Sequence, residues 1–282
     1  MINSNQPFGP PPEAIFEEST PNQPVSSDSR MNKTGSVWAA RQEEYWDSIA
    51  PGYDQKYSDI WSQYENALVQ RRIAGLLPRS ITKPMVLEFG CGTGLGYNLL
   101  LSEQMNFGFE YIGIDVSPAM LQKFSSRVPE DLNLINTSLE LVPPDRFTNI
   151  DLVMGIFTSG SYVNMELRAL LSLLRGWLKP HTGVMYISFL NRTSLTHIAR
   201  WGLKSCIDYA SRGTHSATVP ARRYSKPELL RACKALGLAG AVHSLGPLAG
   251  LLQTPSLWRI NATMLDATLF THTIEITATR SG

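Results

Sequence analysis

Five positions in this chain have the types and spacing of a nucleoside site: Glu88, Gly90, Gly92 and Gly94, in V-L-E-F-G-C-G-T-G-L-G over residues 86–96, and Asp115 beyond them. Val86 and Leu87 belong to an apolar run that stops in glycine, and Y-N-L-L-L over residues 97–101 resumes with helical spacing. A strand feeding a helix through a glycine turn leaves unpaired N–H groups and the positive end of the helix dipole facing one crevice. Twenty-one residues past Gly94, Y-I-G-I-D over residues 111–115 reads as a second buried strand ending in a carboxylate. In a doubly wound sheet an acid at that place accepts hydrogen bonds from ribose hydroxyls.

The pattern is not that of a dinucleotide site, because G-x-G-x-x-G would need glycine at Leu95 or Tyr97. The acid at the strand end, Glu88, repels a pyrophosphate and suits a cationic amino-acid group. With its E-x-G-x-G-x-G run and the later Asp115, the sequence resembles the class I S-adenosylmethionine-dependent methyltransferases of small-molecule type. The resemblance implies an α/β fold: a doubly wound, Rossmann-like, seven-stranded sheet with the last strand antiparallel, preceded by a helical segment and carrying cap insertions. It also implies S-adenosylmethionine as cofactor, with the glycine motif around its methionine and ribose portions and Asp115 on the ribose diol.

The elements that must position these residues follow in order. Residues 1–34 hold six prolines among Asn, Gln, Ser and Asp, a composition expected to stay disordered. From Trp38 to Tyr64 seven aromatic residues fall at helical spacings, with Ala50-Pro51-Gly52 as a break between two helices. Within it, Y-W-D-S-I-A-P-G-Y-D over residues 45–54 resembles the family's lid segment, which spans residues 35–80 here. The resemblance places Tyr45 and Tyr53 against the cofactor and Trp46 toward the acceptor. A tyrosine face near a sulfonium gains about 0.5–2 kcal/mol of cation–π attraction.

The cofactor-binding core is expected over residues 81–190. Ser117-Pro118 is an N-cap followed by a first-turn proline. The resemblance adds Cys91, Val116 and Met120 to the cofactor contacts. The third strand is expected over residues 132–137, and the family's acid after it, which meets the adenine amino group, is replaced by Ser138. Leu139 supplies a backbone contact in this scheme. The fourth strand lies within residues 147–157, so Gly155, Ile156 and Phe157 end at the cofactor, and Thr158 and Tyr162 reach the acceptor. Leu167, Leu170, Leu171, Leu174, Trp177 and Leu178 define one helical stripe. It ends at K-P-H-T-G over residues 179–183, similar to the family's turn before strand five. Residues 191–223, with His197 and Trp201, form an expected cap insertion over the acceptor. The rest of the core is expected over residues 224–282, with a second insertion at residues 254–270.

Composition sets outer limits. Lys and Arg number 25 against 24 Asp and Glu, a net charge of +1 that gives no general attraction to nucleic acid. No stretch approaches the ~18 apolar residues of a membrane span. The first residues lack the basic and apolar regions of a signal peptide, and three scattered cysteines offer neither a disulfide framework nor a zinc spacing. A cytoplasmic setting without a metal is expected. A homo-oligomer would form through the N-terminal segment or the caps. Tyr53, His197, His215 and His243 are the candidate proton acceptors, and Trp46, Thr158, Tyr162 and Trp201 the candidate acceptor-binding residues. The expected activity is methyl transfer to a small, largely apolar metabolite. Two alternatives stand beside it: a protein methyltransferase, and a non-transferring S-adenosylmethionine-binding scaffold or cyclase.

Overall fold

The computed structural model describes residues 27–77, 83–104, 108–130, 132–194, 220–245 and 273–280. Its strands are β1 (Met85–Phe89), β2 (Glu110–Asp115), β3 (Asn133–Asn136), β4 (Leu152–Gly155), β5 (Val184–Asn191), β6 (Arg223–Tyr224), β7 (Leu238–Leu245) and β8 (Thr273–Arg280). They form one sheet in the order β3-β2-β1-β4-β5-β8-β7, with β6 added beside the end of β5. β8 alone runs antiparallel, between β5 and β7. The seven expected strands are therefore present, and the two-residue β6 is an eighth that its short length hides from periodicity.

The helices are α1 (Ser27–Ile49), α2 (Tyr53–Lys56), α3 (Ile60–Ala74), α4 (Leu95–Gln104), α5 (Pro118–Ser125), α6 (Ser159–Tyr162), α7 (Leu167–Trp177) and α8 (Lys226–Ala235). A single 3-10 turn at Ala50–Gly52, opened by proline, breaks α1 from α2 at the expected place. The first helix begins at Ser27, inside the stretch expected to be an unstructured arm. None of the helices among the described residues is long and apolar enough to cross a membrane.

Strand alternation sorts side chains onto two faces. Leu87, Phe89, Val153, Met185 and Ile187 join the α7 stripe in one apolar cluster. Val86, Leu152, Met154 and Val184 join Val69, Ile73, Leu100 and Phe124 in the other, under α3, α4 and α5. Glu88 shares the face of Val86, and this brings its carboxylate beneath α4. Chain order reverses between β1 and β4, whose C-terminal ends open the crevice where doubly wound sheets bind ligands.

Candidate active site

A cavity of about 910 Å³, its mouth included, occupies that crevice. Its floor is the loop from β1 to α4. Gly94 has φ +89°, and a Cβ there would lie 2.3 Å from the Phe124 ring, so α5 can close on the loop only over a glycine. Gly92 has φ +52°, but its Cβ would meet nothing within 4 Å. The loop backbone is thus bare toward the cavity at that residue.

Three carboxylates line the cofactor end. Asp115 is 8% exposed and is gripped by backbone: Gly92 N–H donates to Oδ2 and Ser117 N–H to Oδ1, both at 2.8 Å. Burial pushes its carboxyl up to about 6, against the pull of those two amides. Glu88 is 1% exposed, and the Tyr111 hydroxyl donates to it. Burial dominates that hydrogen bond and pushes the Glu88 carboxyl up to about 8. Glu140, at the far end beside Ser138 and Leu139, has a buried Oε1 with no hydrogen-bond partner among the described residues. A buried acceptor without a partner carries a desolvation cost of about 1–3 kcal/mol, which a ligand N–H would remove. These features fit an adenosyl amino acid: a diol-accepting acid, a second acid buried under the loop, and an orphan acceptor at the base end.

The N-terminal segment is bolted to the rim by two aspartates. Asp47 Oδ1 accepts from the Ser117 hydroxyl at 2.5 Å and from Ala119 N–H at 3.1 Å, and so caps α5 from outside its own chain segment. Asp54 accepts from the Thr93 hydroxyl at 2.6 Å and pairs with Arg127 at 2.5 Å. Burial opposes ionisation of Asp54, but the Thr93 and Arg127 bonds outweigh it and hold its carboxyl below the usual range. Lys123 adds a bond to Ala50 C=O at 2.7 Å, across the break between α1 and α2.

The mouth is aromatic. Trp46 meets Tyr53 and Tyr162 edge-on, with ring centroids 6.2 and 5.3 Å apart. Its indole N–H donates to Gln42, whose amide donates in turn to Pro220 C=O at 2.6 Å. Trp38 donates to Tyr162 C=O at 2.7 Å. Burial raises the Tyr53 phenol, helped by Tyr57 and Asp115 nearby, and burial pushes Tyr162 up to about 12. Both phenols therefore keep their protons at neutral pH. Behind them, Phe157 and Thr158 take φ of +49° and +70°, two successive non-glycine residues in the left-handed region. Such a pair costs about 1–3 kcal/mol per residue and is held here by Ser188, whose hydroxyl accepts from Thr158 N–H at 2.5 Å.

The cavity thus brings together Trp46, Tyr53, Glu88, Gly90, Cys91, Gly92, Asp115, Val116, Met120, Ser138, Leu139, Ile156, Phe157 and Tyr162 from the residues that sequence singled out. Four others stand just outside it. Tyr45 packs edge-on against Trp46, and Gly94 lies under Phe124. Gly155 makes room for the Phe89 ring, and the Thr158 hydroxyl turns back to Phe157 C=O. His243 is a correction: it lies on β7, paired in register with Glu275, with β8 and β5 between it and β4. It is not among the residues that line the cavity. His197, His215 and Trp201 lie outside the described residues.

Sequence reasoning missed Gln42, Thr93 and Glu140. The replacement of the expected acid by Ser138 was the signal for Glu140: an acid two positions on could take over. Gln42 and Thr93 gave none, because each acquires its role through a partner far away in sequence.

Residues 60–243 match the family model described as a methyltransferase domain. A malonyl-[acyl-carrier protein] O-methyltransferase of Paenibacillus sp. (strain JDR-2) is 32% identical over 99 residues, 29% of this chain. The match spans about a third (35%) of that relative's length. Among solved structures, the DhpI-SAM-HEP complex superposes with a TM-score of 0.58 at 15% identity, over 86% of this chain and 97% of the other. A methyltransferase in complex with the Haloferax volcanii Trm112 activator gives 0.57 at 18% identity, over 84% and 98%. At such identities the two superpositions speak for the fold, while the family model covers well over half of the chain. The chain belongs to the methyltransferase domain family.

Proposed function

We propose that this enzyme transfers the methyl group of S-adenosylmethionine to a small, largely apolar acceptor. The observation that carries this reading is the division of one cavity: carboxylates gather at the end formed by the glycine loop and β3, and aromatic rings at the mouth. When bound, the cofactor supplies a methyl group on a cationic sulfur, open to in-line displacement. Asp115 holds the ribose diol, Glu140 Oε1 accepts from the adenine amino group, and the buried Glu88 carboxyl balances the cationic amino-acid end. Trp46, Tyr53 and Tyr162 exclude water and fix the acceptor in line, the positioning on which such a transfer chiefly depends.

Among the described residues, the mouth carries no side chain that ionises near neutral pH, since both of its phenols are raised. The relative that is named for a carrier-linked malonyl acceptor favours a second reading, in which the acceptor arrives tethered.

The test is transfer of labelled methyl from S-adenosylmethionine into an extract of the source cells, fractionated into small molecules, protein and nucleic acid. Label in one small-molecule peak is the expected result. Label on a carrier or another protein overturns the free-metabolite reading. Tight S-adenosylhomocysteine binding with no label in any fraction moves the chain to the non-transferring class.

A further inference from the structure

Behind the wall of the active cavity lies a second concavity of about 1150 Å³, its open side included. Arg168 reaches it from α7, Arg192 from the end of β5, Arg222 and Arg223 from the approach to β6 and from β6 itself, and Arg231 from α8. Five guanidinium groups thus share one cleft with two carboxylates, an excess of three positive charges among the described residues. The whole chain carries a net charge of only +1, so an excess of three positive charges in one cleft departs from the chain's average.

The two carboxylates are already engaged. Glu166 pairs with Arg222 at 2.5 Å, and Glu228 with Arg192 at 2.7 Å. Glu228 also closes the capping box of α8 by accepting from Ser225 N–H at 2.7 Å. Arg192 donates further to Arg223 C=O at 2.8 Å, and Arg222 lies 5.6 Å above the Trp38 ring. These bonds hold the guanidinium planes in fixed directions, while Arg168 and Arg231 stand exposed at the rim. Fixed planar forks around a concavity match the tetrahedral, multiply charged oxygens of a phosphoryl group better than a single carboxylate. The concave shape favours a small ligand or a ligand's end group over a flat protein face.

We propose that this arginine cleft is a second ligand site, separate from the methyl-transfer cavity, that takes a phosphoryl or diphosphoryl anion. The anion comes either from a separate small effector or from a phosphate borne by the acceptor itself. The strip that lines the cleft also touches the active cavity: Arg222 N–H donates to Ser161 C=O at 2.7 Å, one residue before Tyr162 in α6.

The experiment is calorimetric titration of the full chain with inorganic pyrophosphate at low and high sodium chloride, with S-adenosylhomocysteine saturating the active cavity. One saturable site per chain is expected, weakening steeply with salt. The double variant Arg168→Ala/Arg231→Ala, altered only at exposed rim positions, is expected to bind pyrophosphate at least tenfold more weakly. Its S-adenosylhomocysteine affinity should stay unchanged, which shows that it is folded. Absence of saturable binding, or equal binding by wild type and double variant, overturns the proposal. In the labelled-extract assay, a small-molecule peak that is lost when the extract is first treated with phosphatase assigns the phosphate to the acceptor. A peak that survives that treatment assigns it to an effector. Either result presupposes the calorimetric site, so loss of label and loss of the cleft are read independently.

Discussion

Glu88 is a carboxyl enclosed under α4 with one phenol for company, and its burial makes the stability of the ligand-free protein depend on pH. The folded state keeps the proton up to about pH 8, whereas the unfolded chain releases it near the ordinary value of 4.5. Between those limits the folded state binds more protons than the unfolded one, so stability falls as pH rises and levels off above 8. Each pH unit inside the window is worth up to about 1.4 kcal/mol. From pH 6 to 8 the loss assigned to Glu88 is then about 2 kcal/mol, because the slope fades near the upper limit. Asp115, raised only to about 6, has passed most of its own window by pH 6. Urea unfolding followed by tryptophan fluorescence at pH 6, 7 and 8 reads this directly. In Glu88→Gln the amide oxygen still accepts from Tyr111, but nothing titrates, so the variant should lose about 2 kcal/mol less than wild type over the interval. Cofactor binding carries the mirror image: wild type should release a proton on taking up the cationic cofactor, and the variant should not. Parallel stability curves for the two proteins would refute the assignment of the buried charge to Glu88.

Four further outcomes follow from the site. Gly94→Ala places a Cβ against the Phe124 ring at φ +89°, with an expected loss of about 2–4 kcal/mol in urea melts. Gly92→Ala has open space and loses only about 1 kcal/mol, yet S-adenosylhomocysteine titration should show at least tenfold weaker binding, because the methyl enters the cavity. Asp47→Ala removes the outside cap of α5, worth about 1 kcal/mol in thermal melts, and should speed proteolysis within α1 as the lid loosens. Glu140→Ala removes the buried, unpartnered acceptor and should stabilise the ligand-free protein by about 1–3 kcal/mol, while weakening S-adenosylhomocysteine about tenfold. Its affinity for the inosine analogue, which lacks the amino group, should not change.

The glycine loop, Asp115 and the order of the strands were legible in the sequence because each is a local demand. Positive φ at Gly90, Gly92 and Gly94 favours glycine whatever packs around it, and an acid at the end of β2 falls at the crevice by chain order alone. Strand and helix periods made the α7 stripe and the alternation of β1 readable in the same way. The aromatic segment before the core was legible as helices around a Pro-Gly break, for both halves carry their own period.

What only the tertiary structure decided were pairings between distant segments. Asp47 became the cap of α5, Asp54 the partner of Thr93 and Arg127, and Gln42 the link between Trp46 and Pro220, across separations of 39 to 178 residues. His243 fell away from the site because strand order, not sequence distance, sets which edge of the sheet faces the cavity. The arginine cleft is the same kind of fact: five residues spread from position 168 to 231, none in a run longer than two, become one positive surface once α7, β5, β6 and α8 are assembled. A single chain shows its backbone requirements residue by residue, whereas charge density and hydrogen-bond partnership are properties of separated segments and come into being only when folding sets those segments side by side.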